Sequence, residues 1–257
     1  MVGARIRAIA PAHEHESSSS AEPSRRIRLT LLGGFGLHVG DVAVPLAPST
    51  QRLIALLALH EAALCRGYVA GLLWGDSTEA HAQGSLRSTL WKLQMARPGV
   101  VWLNGDTLVL SPNVEVDIRQ ATRLARELIT GTFDEDNVVA LLEPKYCCDL
   151  LPGWYYEWAI AERERYRQLS LHALESVCEH LTSMRRYGAA VLAGLAAVDR
   201  EPLRESAHRA LMKVHLAEGN LGEAIRRYQQ YEKIAARDLG VAPSPQMRSL
   251  LSQITAR

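Results

Sequence analysis

The sequence predicts a mainly α protein in two parts: a small unit of short strands and three helices closed by a hairpin, then an all-α helical repeat. Three observations carry that reading. Between residues 27 and 110, alternating apolar runs are separated by glycine turns and enclose three stretches with helical periodicity. Beyond about residue 119 nearly every segment has the helical period. Segments 171–204 and 205–238 also align with each other at an offset of 34 residues.

The first strands are short. Ile27, Leu29 and Leu31 alternate with Arg28 and Thr30, Gly33-Gly34 interrupts, and Phe35, Leu37 and Val39 resume before Gly40-Asp41 leads to Val42 and Val44. Gly33-Gly34-Phe35-Gly36 lacks the Lys-Ser/Thr of a phosphate-binding loop and runs into another strand, so it reads as a turn. Pro48-Ser49 opens a helix with Leu53, Leu56, Leu57 and His60 at three-to-four spacing, and Ser49 or Thr50 is its expected N-cap. A second helix covers about residues 67–74 with Val69, Leu72 and Leu73; Gly75-Asp76-Ser77 breaks it. The third runs from about residue 78 to 96, with Ser77 as its expected cap. Past Pro98-Gly99, residues 100–103 and 107–110 flank Asn104-Gly105-Asp106, a hairpin signal because Asn and Gly accept positive φ. Three strands, three helices and a terminal hairpin make a winged helix-turn-helix with a small β-sheet and a hairpin wing, over residues 27–118.

Residues 111–118 read as a connector. Short helices are expected at 119–130 and 135–145, and a long one from about 154 to 184. The offset of 34 then pairs Ala173 with Ala207, Val177 with Leu211, Gly188 with Gly222, Ala190 with Ala224 and Val191 with Ile225. That offset is the tetratricopeptide period, in which each helix pair buries its apolar face on its neighbour. The second unit carries Glu218-Gly219-Asn220-Leu221-Gly222 at its turn, whereas the first has Arg185 where a turn glycine is expected. A last helix over about 244–255 caps the stack, which makes residues 119–257 an all-α, tetratricopeptide-like domain.

Composition narrows the function classes. At 257 residues with 47% hydrophobic and 22% charged residues, the chain has the usage of a folded globular protein. Residues 1–26, with the polar run His13-Glu14-His15-Glu16 followed by four serines, are expected to be a disordered tail. The alternating histidines there lack a fixed geometry, and no Cys or His spacing suits zinc, so no metal is expected. No stretch reaches the roughly 18 apolar residues of a membrane span, and no secretory signal is recognisable, so the expected compartment is the cytoplasm. His60, His172, His180, His208 and His215 lie within helical patterns without a nucleophile or carboxylate at motif spacing, so no catalytic residue, no enzyme activity and no cofactor is expected.

The third helix carries the functional signal. Ala82, Leu86, Leu90 and Leu93 form its apolar stripe, while Gln83, Gly84, Arg87, Ser88, Trp91 and Lys92 project elsewhere. In a winged helix that outward face enters the major groove, where Arg pairs bidentately with guanine, Ser and Gln read base edges and Lys neutralises phosphate. An amphipathic helix has a polar outer face in any case, so the residue types alone do not separate DNA contact from a solvated surface. Asn104 and Gly105 at the wing tip would reach the minor groove, with Asp106 opposing phosphate there. Counting Arg26, seven basic residues stand against seven acidic ones through residue 118. A neutral domain binds DNA weakly, so a homodimer on DNA or help from polymerase is expected for useful occupancy. The competing reading is a protein-interaction scaffold whose winged helix is only another docking surface.

These residues resemble the streptomycete antibiotic regulatory protein (SARP) type of activator. The resemblance rests on Leu31-Leu32-Gly33-Gly34-Phe35, Leu72-Leu73-Trp74, Ser85-Leu86-Arg87-Ser88-Thr89-Leu90-Trp91-Lys92-Leu93 and Val116-Asp117. In the second domain it rests on Leu150-Leu151-Pro152-Gly153-Trp154-Tyr155, Glu162-Arg163, Glu205-Ser206-Ala207-His208 and residues 239–245. It implies a winged helix followed by a bacterial transcriptional activation domain, binding to double-stranded promoter DNA and recruitment of RNA polymerase. It also implies that Gly75, Asp76, Ser77, Thr78, Glu79 and Ala80 face the transcription machinery. Where members often carry arginines late in the third helix, this chain has Gln94 and Met95. Larger members of that type carry nucleotide-binding and sensor extensions that these 257 residues do not contain, so ATP-dependent regulation is not expected.

Overall fold

The computed structural model describes residues 26–255, the side chains of Glu135 and of residues 253–255 apart. The expected tail at 1–26 therefore lies, but for Arg26, outside the described residues. The chain opens with β1 (Ile27–Thr30), β2 (Gly36–Val39) and β3 (Val42–Ala43), followed by α1 (Pro48–Leu59). Next come β4 (Leu64–Cys65), α2 (Arg66–Leu73) and α3 (Glu79–Ala96), and then the hairpin β5 (Val101–Asn104) and β6 (Thr107–Leu110). Strand β7 (Val114–Val116) leads into α4 (Asp117–Ile129), α5 (Glu135–Leu141) and a 3-10 turn at Pro144–Cys147. The remainder is helical: α6 (Glu157–Ser183), α7 (Tyr187–Arg200), α8 (Glu205–Glu218), α9 (Leu221–Asp238) and α10 (Pro245–Thr255).

Two small sheets frame the winged helix. The first has the order β3-β2-β1-β7 and the second β4-β6-β5. Strand β7 corrects the expected connector at 111–118: it pairs parallel with β1, Ile27 opposite Val114 and Leu29 opposite Val116. Three residues are too few to show the strand period, and the partner lies at the other end of the domain. Strand β4 was also not expected; it extends the wing by pairing Leu64 with Leu108. The caps differ too. Helix α1 starts from Ala47 with Pro48 in its first turn, and Thr78 rather than Ser77 occupies the N-cap of α3, neither making a side-chain cap bond. Proline at a helix start needs no N–H partner, which explains the shift in α1. The expected helix at 135–145 ends at Leu141 because Pro144 cannot continue it.

The helix pairs stack at the anticipated offset. Ala173, Ala207, Val177, Leu211, Ala190 and Ala224 are all fully buried at their equivalent positions in α6 to α9. Small alanines let the axes approach closely; at Gly194 in α7 an added Cβ would lie 2.6 Å from Leu211 Cδ2.

Separate cores for the two parts do not form. Buried side chains from Ile27 through Val214 make one contiguous apolar cluster, with a second small one around Met212, Tyr231 and Met247. Charged side chains lock the junction. The carboxylate of Asp117, at the start of α4, accepts the backbone N–H groups of Leu31 and Leu32 at 3.0 Å each. Arg119 donates to the carbonyls of Leu57, Ala58 and His60, ending α1 with a cation where its own carbonyls lack partners. Leu32 also pairs with Leu150 in an isolated bridge, and Arg163 of α6 donates to the carbonyls of Leu150, Leu151 and Trp154. The Arg52 guanidinium of α1 stands 5.8 Å from the ring of Trp74 and 5.2 Å from that of Tyr156, which bridges the end of α2 to the start of α6.

Candidate DNA-binding surface

The two sides of α3 are held differently. Ala82, Leu86, Thr89 and Leu93 are buried against α1 and α2, with Leu90 packed partly beside them. Each fully buried leucine contributes about 1.5–3 kcal/mol by leaving water, and the stripe fixes how the helix is rotated. The opposite side exposes Arg87, Ser88, Trp91 and Lys92 together. Trp91 is 65% exposed and Met95, one turn further, 69%. Two large apolar groups adjacent at i and i+4 on a crest form a surface suited to contact.

The remaining expected residues divide around that crest. Gly84 lies on it half-buried, and an added Cβ would come within 3.8 Å of the Arg87 guanidinium. Gln83 stands apart: its amide nitrogen is 3.9 Å from where a Cβ on Gly67 would sit, so it leans toward the start of α2. Ser88 and Lys92 border a shallow hollow of about 440 Å³ that Ser49 and Trp74 also line. The first turn of α1, an electropositive helix end, opens on this hollow beside Lys92.

The wing is tied to the helices. Gly105 takes φ of +58°, a value glycine adopts freely, and closes the turn between Asn104 and Asp106, all three exposed. Thr107 donates its hydroxyl to Asn104 O at 2.8 Å, and the Arg66 N–H donates to Asp106 O at 2.9 Å, which pins the tip to α2. The exposed Asp106 carboxylate sets a negative charge at the tip. The loop from Gly75 to Ala80 is exposed throughout. Within it the Ser77 hydroxyl donates to Trp74 O at 2.8 Å, and a Cβ on Gly75 would lie 2.8 Å from Gly71 O, so glycine is required for the chain to turn there.

Charge is redistributed by pairing. Arg28 binds Asp41 at 3.0 Å, Arg26 approaches Glu115 at 3.9 Å, and Arg52 is taken up by the two rings. Arg87 and Lys92 have no ion pair among the described residues, and neither has Arg97, whose Nε also lacks a hydrogen bond. A neutral domain thus presents a locally basic helix. Arg97 was missing from the expected set because it caps α3 just before Pro98, where periodicity stops; its charge at a helix end was the available signal. Among the described residues no group of three or more His, Cys, Asp or Glu could hold a metal ion, and no helix is long and apolar enough to cross a membrane.

Residues 136–255 match the family model of the bacterial transcriptional activator domain. Over 253 residues the chain is 24% identical to regulatory protein AfsR of Streptomyces griseus, which covers 94% of this chain and 26% of that protein. It is 25% identical over 254 residues to regulatory protein AfsR of Streptomyces coelicolor, covering 95% of this chain and 25% of the relative. The chain therefore spans about a quarter of the length of the curated relatives it matches. Among solved structures, Mycobacterium tuberculosis EmbR, in complex with a low-affinity phosphopeptide, superposes with a TM-score of 0.72. That match has 19% identity and covers 90% of this chain and 65% of EmbR, so it speaks for the fold.

Proposed function

We propose that this chain, whose residues 136–255 match the bacterial transcriptional activator domain, is a transcriptional regulator of the SARP type that binds promoter DNA sequence-specifically and activates transcription by recruiting RNA polymerase. One observation carries the reading. Among the described residues the crest of α3 is uncovered, with Arg87, Ser88, Trp91 and Lys92 exposed side by side while the leucine edge is anchored. Arg87 would read guanine, Ser88 a base edge, and Lys92 with Arg97 would neutralise phosphate, while Trp91 packs on sugar or a thymine methyl. Gly84 allows close approach of the backbone, and Gln83 serves as a flanking contact. Asn104 and Gly105 would follow the adjacent minor groove. The loop at Gly75–Ala80 would meet polymerase, and two copies on adjacent half-sites would compensate for the low overall charge. The cytoplasm is the compartment where these partners meet.

A mobility-shift titration against the DNA upstream of the chain's own coding sequence tests this, with the Arg87→Ala variant beside the parent. A lost bidentate contact costs about 1–3 kcal/mol, so binding should weaken roughly tenfold or more and discrimination relax at one base pair. Unchanged binding by the variant would refute the placement of the recognition helix. The exposed Trp91 and Met95 favour one other reading, a protein-docking crest; in that case neither the parent nor the variant retards DNA.

A further inference from the structure

Away from α3, the C-terminal end of α1 and the facing sides of α4 and α6 enclose a cleft of about 460 Å³. Small-molecule sites occupy about 300–1,000 Å³ and favour the junctions between domains. Ile118, Leu150 and Tyr166 are buried in its floor, and Leu59 and Leu169 half-buried. The rim is polar and helical in register. Thr122 and Arg126 stand on α4 one turn apart, opposite Arg165 and His172 on α6.

The charges of the rim are nearly all engaged. Arg165 is ion-paired with Glu162. Arg119 is spent on three carbonyls of the α1 end, with Glu61 beside it. The Arg126 guanidinium has no ion pair or hydrogen bond among the described residues, and the Thr122 hydroxyl has no hydrogen bond there either. The cleft thus offers an apolar floor, one uncommitted cation and one uncommitted hydroxyl. Glu61 and Glu162 on the same rim oppose a polyanion such as a nucleoside triphosphate.

We propose that this cleft binds a small amphipathic organic acid, with its aromatic or branched body on Ile118, Tyr166 and Leu169 and its single anionic group on Arg126 and Thr122. Because Leu59 at the end of α1 also lines the cleft, the occupant would touch the winged helix and α6 of the activation domain at once. Binding to the folded chain alone raises stability by mass action and fastens the two halves together. The site is independent of any DNA contact, so its test does not depend on that reading.

The test uses 8-anilinonaphthalene-1-sulfonate, an aromatic body with one sulfonate, titrated into the full chain by fluorescence and by thermal unfolding. Saturable binding at one site per chain and a raised Tm are expected. Arg126→Glu, at an exposed position where folding is not at stake, should weaken binding at least about tenfold, as loss of one charge-assisted contact does. Leu169→Trp, which fills the cleft, should remove the saturable site, while Arg237→Glu on the distant α9 should leave it unchanged. Absence of saturable binding by the parent chain, or binding by Arg126→Glu within twofold of the parent, overturns the proposal.

Discussion

Arg185 and Gly219 stand 34 residues apart at the same turn of successive helix pairs, and both hold left-handed backbone, with φ of +58° and +88°. The turn between α8 and α9 uses the residue suited to that conformation. The turn between α6 and α7 forces an arginine into it, which costs an L-residue roughly 1–2 kcal/mol.

Replacing Arg185 by glycine should therefore stabilise the chain. Glycine is also freer in the unfolded state, which offsets part of the relief. A net gain of about 0.5–1 kcal/mol is expected, read as a higher urea midpoint with unchanged slope. A lower midpoint would show that the Arg185 side chain contributes more than its backbone loses.

Gly194 is predicted to behave in the opposite way. A methyl there would meet Leu211 Cγ at 2.7 Å and Cys178 Sγ at 3.3 Å, both on fully buried residues. Overpacking of about 1–3 kcal/mol should outweigh the helix propensity that alanine gains. Thermal unfolding of Gly194→Ala, with Gly188→Ala in open space as the control, checks this.

At the junction, Asp117→Ala removes the acceptor of the Leu31 and Leu32 N–H groups. Leaving them without a partner should cost about 1–3 kcal/mol, and Asp117→Asn, which keeps one acceptor oxygen, should lose less. Because Asp117 joins β1 to α4, both variants should loosen hydrogen exchange at β1 before the repeat is affected.

Buried His208 and half-buried Glu175 should give the chain an acid-side slope. Burial pushes the His208 imidazole below its ordinary 6.5, against the upward pull of its bond to Pro202 O at 2.9 Å. The unfolded chain accepts this proton more readily, so the contribution is whole above pH 6.5 and drains as pH falls through the lower folded value. Glu175 adds a second window. Burial acts to raise it, but hydrogen bonds from Arg204 and Ser206 outweigh that and hold it below 4.5, so its share is lost as pH falls from 4.5 through the folded value. Urea midpoints of the parent should fall from pH 7 to 5, and His208→Gln should flatten that fall; an identical slope would show that His208 is not its source.

For the proposed DNA surface, Lys92→Ala should weaken binding about equally on all sequences and reduce the salt slope by about one. Mobility shifts at several salt concentrations give that slope. Base-specific loss with an unaltered slope would move Lys92 from phosphate to base contact.

The sequence by itself determined the two parts, the apolar stripe of α3, the hairpin at Asn104-Gly105 and the offset of 34, because these are local periods or turn chemistries written in neighbouring residues. It also marked the odd turn at Arg185. Tertiary structure alone decided what long-range partners supply. Strand β7 exists through β1, Arg119 ends a helix some sixty positions away, and the two parts share one apolar cluster because α4 packs on both halves. The same holds for the surface: periodicity set Arg87 and Lys92 outward, but only folding showed that Arg28 and Arg52 are engaged elsewhere and that Arg126 is not, since pairing depends on distances that no spacing encodes.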